Sequence, residues 1–244
     1  MKTIKITTTV PITKHNVHKW RGAIIEQIMQ HKTTFQSAKI PTHLFHNHVE
    51  NEIATTAQEN GKKRDNKLSN YPLVQYLEQN GKAELLGIGQ GATALQMWLA
   101  LAGEEISVNG KKQKLAMADI QQKNMEIKLN KKTSLYEIKN WIPFNPKKHK
   151  AWLKEDSLID KIKLLNKSLF GQILHITDDL GIKNIKNDLI IQVKAIKKEH
   201  SVNCFRIKKL AFDVEITTNL NLPKNIGIGQ GAAIGYGRIN EIIK

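Results

Sequence analysis

The chain has 244 residues, enough for one or two domains with a sizeable buried core. It holds 38 Lys and Arg against 22 Asp and Glu, and the resulting net charge of +16 predicts a polyanionic partner. A single cysteine, Cys204, excludes an intramolecular disulfide and a zinc finger, and it is typical of a reducing cytoplasm. We see no apolar run of membrane-spanning length, no basic amphipathic helix and no signal peptide. We therefore expect a cytoplasmic protein with no membrane partner.

The first half of the chain predicts the element order of a ferredoxin-like domain. Apolar and polar residues alternate in the first ten positions, which is typical of a half-buried strand. Thr13 is expected to cap the helix that follows, and Asn109-Gly110 is a strong signal for a hairpin turn. We expect strands near 4–10, 73–77 and 84–88, and helices over 14–31 and after 92. Strand, helix, two strands, helix and strand is the βαββαβ pattern of the ferredoxin-like fold.

The densest polar cluster in this half is His43-Leu-Phe-His-Asn-His48, for which we predict a short strand. On a strand, His46 and His48 would point to the same face. Two imidazoles that titrate near neutral pH suit proton transfer, and a basic chain with such a pair could cleave RNA without metal. One group would take the proton of a ribose 2′-OH, which attacks the neighbouring phosphate. A second group would assist the leaving 5′-oxygen.

Two other interpretations of the histidine pair remain open. The pair could bind a metal ion, with His43 or Glu50 as additional ligands. It could also consist of surface histidines without a role. The other histidines are scattered and are assigned no role: His15, His18, His31, His149, His175 and His200.

The second half repeats the same order of elements. We expect a strand over 125–129, a break at 141–146, a long helix from Leu158 that ends at Gly181, and strands over 189–195 and 205–216. The sequence thus predicts an α+β protein with two tandem ferredoxin-like, RRM-like domains. We place them at residues 1–120 and 121–244.

Near the C-terminus the chain becomes rich in glycine, in the stretch Asn225–Arg238. Its glycines are Gly227, Gly229, Gly231, Gly235 and Gly237. A backbone of this kind can bring its amide groups close to a phosphate, so we predict that these glycines and Arg238 bind RNA. A dinucleotide fingerprint is excluded because too few residues follow, and a Walker loop because it needs G-K-[ST]. A purely structural turn remains an alternative.

The distribution of charge favours RNA binding by the second half of the chain, which contains the glycine stretch. Residues 1–122 hold 15 Lys and Arg against 10 Asp and Glu, so the remainder holds 23 against 12.

The glycine stretch contains a hexapeptide that occurs twice in the chain. Gly87-Ile-Gly-Gln-Gly-Ala92 is identical to residues 227–232. Such a repeat indicates a duplicated unit. The first copy precedes a helical pattern, whereas Gly235 and Gly237 interrupt any helix after the second copy. We therefore expect the glycine loop to take the place of a helix in the second domain.

Four motifs, taken in order, resemble the Cas-six family of CRISPR repeat-processing endoribonucleases, in particular its type I-B-like branch. They are Phe45-His-Asn-His48, Tyr71-Pro-Leu-Val-Gln-Tyr76, Gly87–Gly91 and Gly227–Arg238, and together they span nearly the whole chain. The resemblance implies tandem ferredoxin-like domains. It also implies cleavage within the repeats of a CRISPR precursor RNA, without metal or cofactor, to leave a 2′,3′-cyclic phosphate.

The resemblance also implies roles for particular residues and partners. The paired histidines of that branch match His46 and His48, and we favour His48 as the main proton-transfer residue. A tyrosine and a lysine assist in other branches, for which Tyr71, Tyr76 and Lys39 are candidates. Expected partners are the precursor RNA, the processed guide RNA and other CRISPR effector subunits. The alternative function is a non-catalytic RNA-binding subunit of an effector complex.

Overall fold

The computed structural model describes residues 1–46 and 71–242 of the chain. Two four-stranded antiparallel sheets dominate these residues, with helices packed against them. His48 and Glu50 lie outside the described residues. No helix in the described part of the chain is long and apolar enough to cross a membrane.

The elements of the first domain are β1 (Lys2–Pro11), α1 (Val17–Gln30), α2 (Lys32–Ser37), β2 (Val74–Gln79), β3 (Lys82–Ile88), α3 (Gln90–Leu101), β4 (Glu105–Val108), β5 (Lys111–Lys114) and β6 (Met117–Asn124). Their order is the predicted βαββαβ order, with the short helix α2 and the β4–β5 hairpin as additions. The first sheet has the strand order β2-β3-β1-β6, and all its pairs are antiparallel. Strand β6 pairs with β1, so the first sheet extends past residue 120, where the sequence placed the join between the domains.

The second sheet has the order β10-β7-β9-β8, which is the same ferredoxin-like order as the first. Its elements are β7 (Leu129–Trp141), α4 (Pro146–Lys154), α5 (Leu158–Asp179), β8 (Ile191–Cys204), β9 (Ile207–Leu220) and β10 (Arg238–Glu241). A single turn of 3-10 helix, Ala232–Ile234, stands where the first domain has α3. The prediction of an α+β protein with two tandem ferredoxin-like domains is therefore confirmed.

Several local predictions are confirmed as well. Asn109 and Gly110 form the two-residue turn between β4 and β5, with φ of 58° and 74°. Helix α5 begins after Ser157, whose side chain caps it, and Gly181 follows its end with φ of 76°. The glycine loop replaces a helix, as the interrupted second hexapeptide indicated.

Other local predictions are wrong. Residues Thr42–Phe45 form a 3-10 helix and not a strand, because Leu44 and Phe45 are consecutive and both buried, which an alternating strand does not allow. Thr13 makes no capping hydrogen bond from its side chain, and a 3-10 turn precedes α1. Strand β7 begins at Leu129 where we expected a strand to end, because its first half is exposed and polar and hides the apolar pattern.

The two hydrophobic cores are shared between the domains. Ile142, Cys204, Ala211 and Ile234 of the second half belong to the core cluster built around β1, α1 and α3. Conversely, Tyr71, Leu77, Leu86 and Ile88 of the first half pack in the cluster around α5 and the second sheet. The two sheets are thus joined by buried apolar contacts and not only by the chain.

Candidate active site

A cleft of about 620 Å³ lies where the two domains meet, and it receives side chains from both. Arg21, His46 and Tyr71 line it from the first domain. From the second domain, the lining includes Lys148, Gln172, His175, Phe205 and Lys209, together with the loop residues 229–233. None of the described residues that line the cleft is acidic. The cleft therefore offers two histidines and three permanent cations to an anionic ligand.

The backbone at His46 is fixed by hydrogen bonds from two elements. The guanidinium of Arg21, on α1, donates to the His46 carbonyl at 2.6 Å. The hydroxyl of Tyr76, on β2, donates to the Phe45 carbonyl at 2.9 Å. The Phe45 ring is buried and packs edge-on against Phe35, with 5.8 Å between ring centroids. These contacts fix the end of the 3-10 helix, and His46 follows it directly at the cleft.

The two tyrosines that the resemblance offered as catalytic assistants both serve the packing. Burial raises the pKa of Tyr76, and the charge of Arg21 opposes that rise without cancelling it. Burial likewise raises the pKa of Tyr71, whose hydroxyl donates to the Gly227 carbonyl at 2.9 Å. Neither hydroxyl is placed to become a phenolate at neutral pH. Lys39 is exposed in the turn after α2 and does not line the cleft.

The cationic side chains of the cleft are held by neutral acceptors. The Lys148 ammonium donates to the Ser168 hydroxyl at 3.1 Å, and the Lys209 ammonium donates to the Gln230 side-chain oxygen. Gln230 in turn donates to the Phe144 carbonyl. Since these acceptors carry no charge, the positive charge of both lysines stays available to a ligand.

The glycines are required for close packing within the protein. A Cβ on Gly229, where φ is +82°, would lie 2.7 Å from the Ile142 carbonyl oxygen, and one on Gly237 would lie 1.9 Å from that of Ile228. A Cβ on Gly231 would lie 2.9 Å from the Cys204 sulfur, and one on Gly227 would lie 2.7 Å from the Ala232 oxygen. These four glycines therefore have a structural role in close packing, which is the alternative that the sequence left open.

The same packing explains the repeated hexapeptide. In the first copy, a Cβ on Gly87 would lie 2.8 Å from the Ala92 backbone nitrogen and 2.6 Å from the Gly91 oxygen. The third residue of each copy, Gly89 and Gly229, has a positive φ. In both copies the first glycine packs against the final alanine. The copies differ at the fifth residue, since Gly91 lies in α3 whereas Gly231 has a φ of 75°.

The predicted RNA-binding residues are divided between two cavities. Gly229 and Gly231 line the cleft with His46, whereas Gly235 and Arg238 line a second cavity of about 620 Å³ together with Glu78. Gly227 and Gly237 are buried. Burial lowers the pKa of Arg238, against the opposing effect of Glu84 and Glu78, and its guanidinium donates to the Asn225 side chain at 3.1 Å. The structure thus brings His46 together with the middle of the glycine loop, but not with Arg238.

Four residues of the cleft had no place in the sequence-based prediction: Lys148, His175, Phe205 and Lys209. From the sequence, His175 was assigned no role, Phe205 and Lys209 lay in an expected strand, and Lys148 was one of many similar lysines in the second domain. Only the tertiary contact between the domains separates these four from the others.

Within residues 1–46 and 71–242, no group of three His, Cys, Asp or Glu side chains could hold a metal ion. Two of the ligands considered for a metal, His48 and Glu50, lie outside those ranges.

The described elements define a tandem ferredoxin-like protein with a basic, histidine-bearing cleft between its domains. The chain belongs to the Cas6b family, since residues 1–126 match the family model of the Cas6b N-terminal domain and residues 128–242 that of the Cas6b C-terminal domain. The resemblance to the Cas-six family is thereby confirmed. None of the curated proteins compared with this sequence matches it.

Solved structures share the fold across the whole chain. A crystal structure of Cas6b is 20% identical with a TM-score of 0.72, covering 99% of this chain and 100% of its own. A second, of the CRISPR RNA processing endoribonuclease Cas6b, is 17% identical with a TM-score of 0.65 and the same coverage. Csf5, a type IV Cas6 crRNA endonuclease, is 13% identical with a TM-score of 0.55, and both chains are covered completely. At these identities the likeness establishes the fold.

Proposed function

We propose that this protein is a metal-independent endoribonuclease that cleaves within the repeats of a CRISPR precursor RNA and so produces guide RNAs. Membership of the Cas6b family supports the substrate, and one relative of the same fold is a CRISPR RNA processing endoribonuclease. The observation that carries the proposal is the position of His46 in a cleft that also contains Arg21, Lys148 and Lys209.

The proposed chemistry follows from the groups that line the cleft. Lysine and arginine bind the phosphates on either side of the scissile bond, and the loop at Gly229 and Gly231 brings main-chain groups to the same place. A histidine removes the proton of the 2′-OH, whose oxygen attacks the adjacent phosphorus. The bond from phosphorus to the 5′-oxygen breaks, and this oxygen takes up a proton from a second group. The products are a 2′,3′-cyclic phosphate on one fragment and a 5′-hydroxyl on the other. We assign the proton transfer to His48 and a supporting role to His46.

The experiment that tests this proposal is incubation of the purified protein with the repeat RNA of its own CRISPR locus. Cleavage should persist in excess EDTA, and the 3′ end should carry a 2′,3′-cyclic phosphate or a 3′-phosphate. Replacing the 2′-OH by 2′-H at the scissile nucleotide should abolish cleavage, because the nucleophile is missing, while binding stays nearly unchanged. Cleavage that stops in EDTA would contradict the metal-free mechanism.

Substitution of the histidines tests their proposed roles. His48→Ala should slow single-turnover cleavage by about 10²–10⁴, the range for loss of one general acid or base, which is about 3–5 kcal/mol. His46→Ala should cost less, and the double variant should bind RNA without cutting it. If wild type binds the repeat but never cuts it, the alternative of a non-catalytic RNA-binding subunit of an effector complex replaces the proposal. Co-purification with other effector subunits would then be the next observation to seek.

A further inference from the structure

We propose that His175, on α5 of the second domain, is a catalytic residue that donates a proton to the leaving 5′-oxygen. This inference rests on the proposed RNA cleavage, and it assigns a role to a residue that no sequence motif singled out. His46 and His175 line the same cleft from opposite domains. An RNA strand bound in the cleft could therefore contact both histidines.

A carboxylate of the same helix lies beside the imidazole of His175. Its Nδ1 lies 3.6 Å from a carboxylate oxygen of Asp179, one helical turn further along α5. The carboxylate therefore faces the Nδ1 edge of the imidazole. With Nδ1 facing Asp179, we assign proton donation to Nε2 on the opposite edge of the ring.

The carboxylate of Asp179 is itself fixed by the first domain. The Tyr71 backbone amide donates to the same oxygen, and the Tyr71 hydroxyl donates to the Gly227 carbonyl at 2.9 Å. Asp179 is mostly buried, with 23% of its side chain exposed, whereas 48% of the His175 side chain is exposed. The arrangement keeps the carboxylate rigid behind the ring and leaves the imidazole accessible from the cleft.

The other charged groups of the cleft are less suited to this step. Arg21 and Lys148 face the cleft with His46, and Lys209 faces it from β9. Lysine and arginine ordinarily stay protonated at neutral pH, so they stabilise negative charge and do not shuttle protons. An imidazole can both give and take a proton near neutral pH. Among the described residues that line the cleft from the second domain, His175 is therefore the one suited to protonate a leaving oxygen.

The complete step balances without a co-reactant. The 2′-oxygen bonds to phosphorus as its proton passes to a histidine of the first domain, and the bond from phosphorus to the 5′-oxygen breaks. The proton of His175 passes to that oxygen, and the products are a 2′,3′-cyclic phosphate and a 5′-hydroxyl. After release the two histidines exchange their protonation states through solvent.

The decisive probe is the repeat RNA of the protein's own CRISPR locus, made with sulfur in place of the bridging 5′-oxygen at the mapped scissile bond. A thiolate leaves without protonation, so loss of a general acid should not slow cleavage of this RNA. We expect His175→Ala and His175→Gln to slow single-turnover cleavage of the ordinary RNA by about 10²–10³. Both variants should cleave the sulfur-containing RNA within about tenfold of wild type. Glutamine keeps a polar side chain of similar size on the helix but transfers no proton.

His18→Ala is the matched control, since His18 is an exposed histidine of α1 outside the cleft, and it should cleave both RNAs at the wild-type rate. If wild type cuts and the His175 variants cut ordinary RNA equally fast, the inference is overturned. An equal slowing on both RNAs also overturns it, because that result would mean that His175 only positions the phosphate. If wild type cuts no repeat RNA, the proposed function fails and the role of His175 fails with it.

Discussion

The Tyr76 hydroxyl and the Arg21 guanidinium hold one short stretch of backbone from two different elements. They bind consecutive carbonyls, those of Phe45 and His46, so the segment that carries His46 cannot shift without breaking a buried hydrogen bond. A resemblance to other branches of the family made Tyr76 a candidate for chemistry. Its burial and its donor role instead make it a support for the backbone segment that positions His46.

We predict that Tyr76→Phe lowers both stability and cleavage. The Phe45 carbonyl would lose its partner in a buried site, which costs about 1–3 kcal/mol in the free energy of unfolding. The His46 segment would also lose one of its two anchors, so single-turnover cleavage of repeat RNA should slow. Urea unfolding and cleavage assays measure the two effects.

Tyr136→Phe is the control for this prediction. Tyr136 is equally buried, in the second sheet, and its hydroxyl accepts from the Leu222 amide at 3.3 Å. The Tyr136→Phe variant should be less stable than wild type. Under conditions in which it is still folded, it should cleave at the wild-type rate. An equal loss of cleavage in both variants would mean that stability alone is responsible and that Tyr76 has no special link to His46.

At the scale of elements, two hairpin turns differ in how well local sequence predicts them. Asn109-Gly110 is a favoured pair for a two-residue turn and was predicted correctly. Phe205-Arg206 makes the same kind of turn between β8 and β9, with φ of 51° and 64°, from residues that disfavour such angles. Local propensity could not predict this turn, because the strain is offset by twelve paired positions along the hairpin.

Replacing Phe205-Arg206 by Asn-Gly should stabilise the protein, since a left-handed conformation costs an ordinary residue about 1–2 kcal/mol. Phe205 is 53% exposed and lines the cleft, so the same change should weaken binding of repeat RNA. Denaturant unfolding and a binding titration measure the two effects. Arg206→Gly alone should keep the affinity contributed by the Phe205 ring. An unchanged free energy of unfolding in the Asn-Gly variant would show that the turn is not strained.

The glycine loop allows a second prediction at this scale. Gly229→Ala should lower the free energy of unfolding by more than Gly81→Ala, although both glycines have a positive φ, +82° and +77°. A Cβ on Gly81 meets nothing within 4 Å, so that variant measures backbone strain alone, about 1–2 kcal/mol. At Gly229 the new carbon would also collide with the Ile142 carbonyl oxygen. Urea unfolding measures both free energies. Equal losses in the two variants would mean that the loop accommodates the new carbon at Gly229 without an additional loss of stability.

Much of the fold could be predicted from the sequence, because strand alternation, helix ends and Asn-Gly turns are local signals. The exceptions have physical causes. The first half of β7 is exposed and polar, and residues 42–45 bury two consecutive side chains. For the site, glycine spacing led to the loop and the histidine motif to His46. His175 could not be found, because only the contact between domains brings α5 to the cleft.

At the scale of the whole molecule, the excess of positive charge should make RNA binding depend on salt. If about 5 phosphates are neutralised, the slope of log affinity against log salt should be about −3 to −4, from roughly 0.7 per contact with a single strand. Lys209→Gln removes one cation of the cleft and should reduce the slope by about 0.7. Lys112→Gln, on the exposed β4–β5 hairpin, should leave the slope unchanged. A flat titration of the wild type would contradict the electrostatic mode of binding.

The shared cores limit how freely the two halves could be recombined with those of relatives. Gln75 donates to the Tyr71 hydroxyl and accepts from the Gly227 amide at 2.8 Å, and Tyr71 returns a bond to the Gly227 carbonyl. A chimera that joins the first half of this chain to the second half of a distant family member would place the side chains of another protein at these contacts between the domains. Each half could be well formed and the hybrid still fail to fold, because the hydrogen bonds and apolar contacts between the domains need matching residues from both halves.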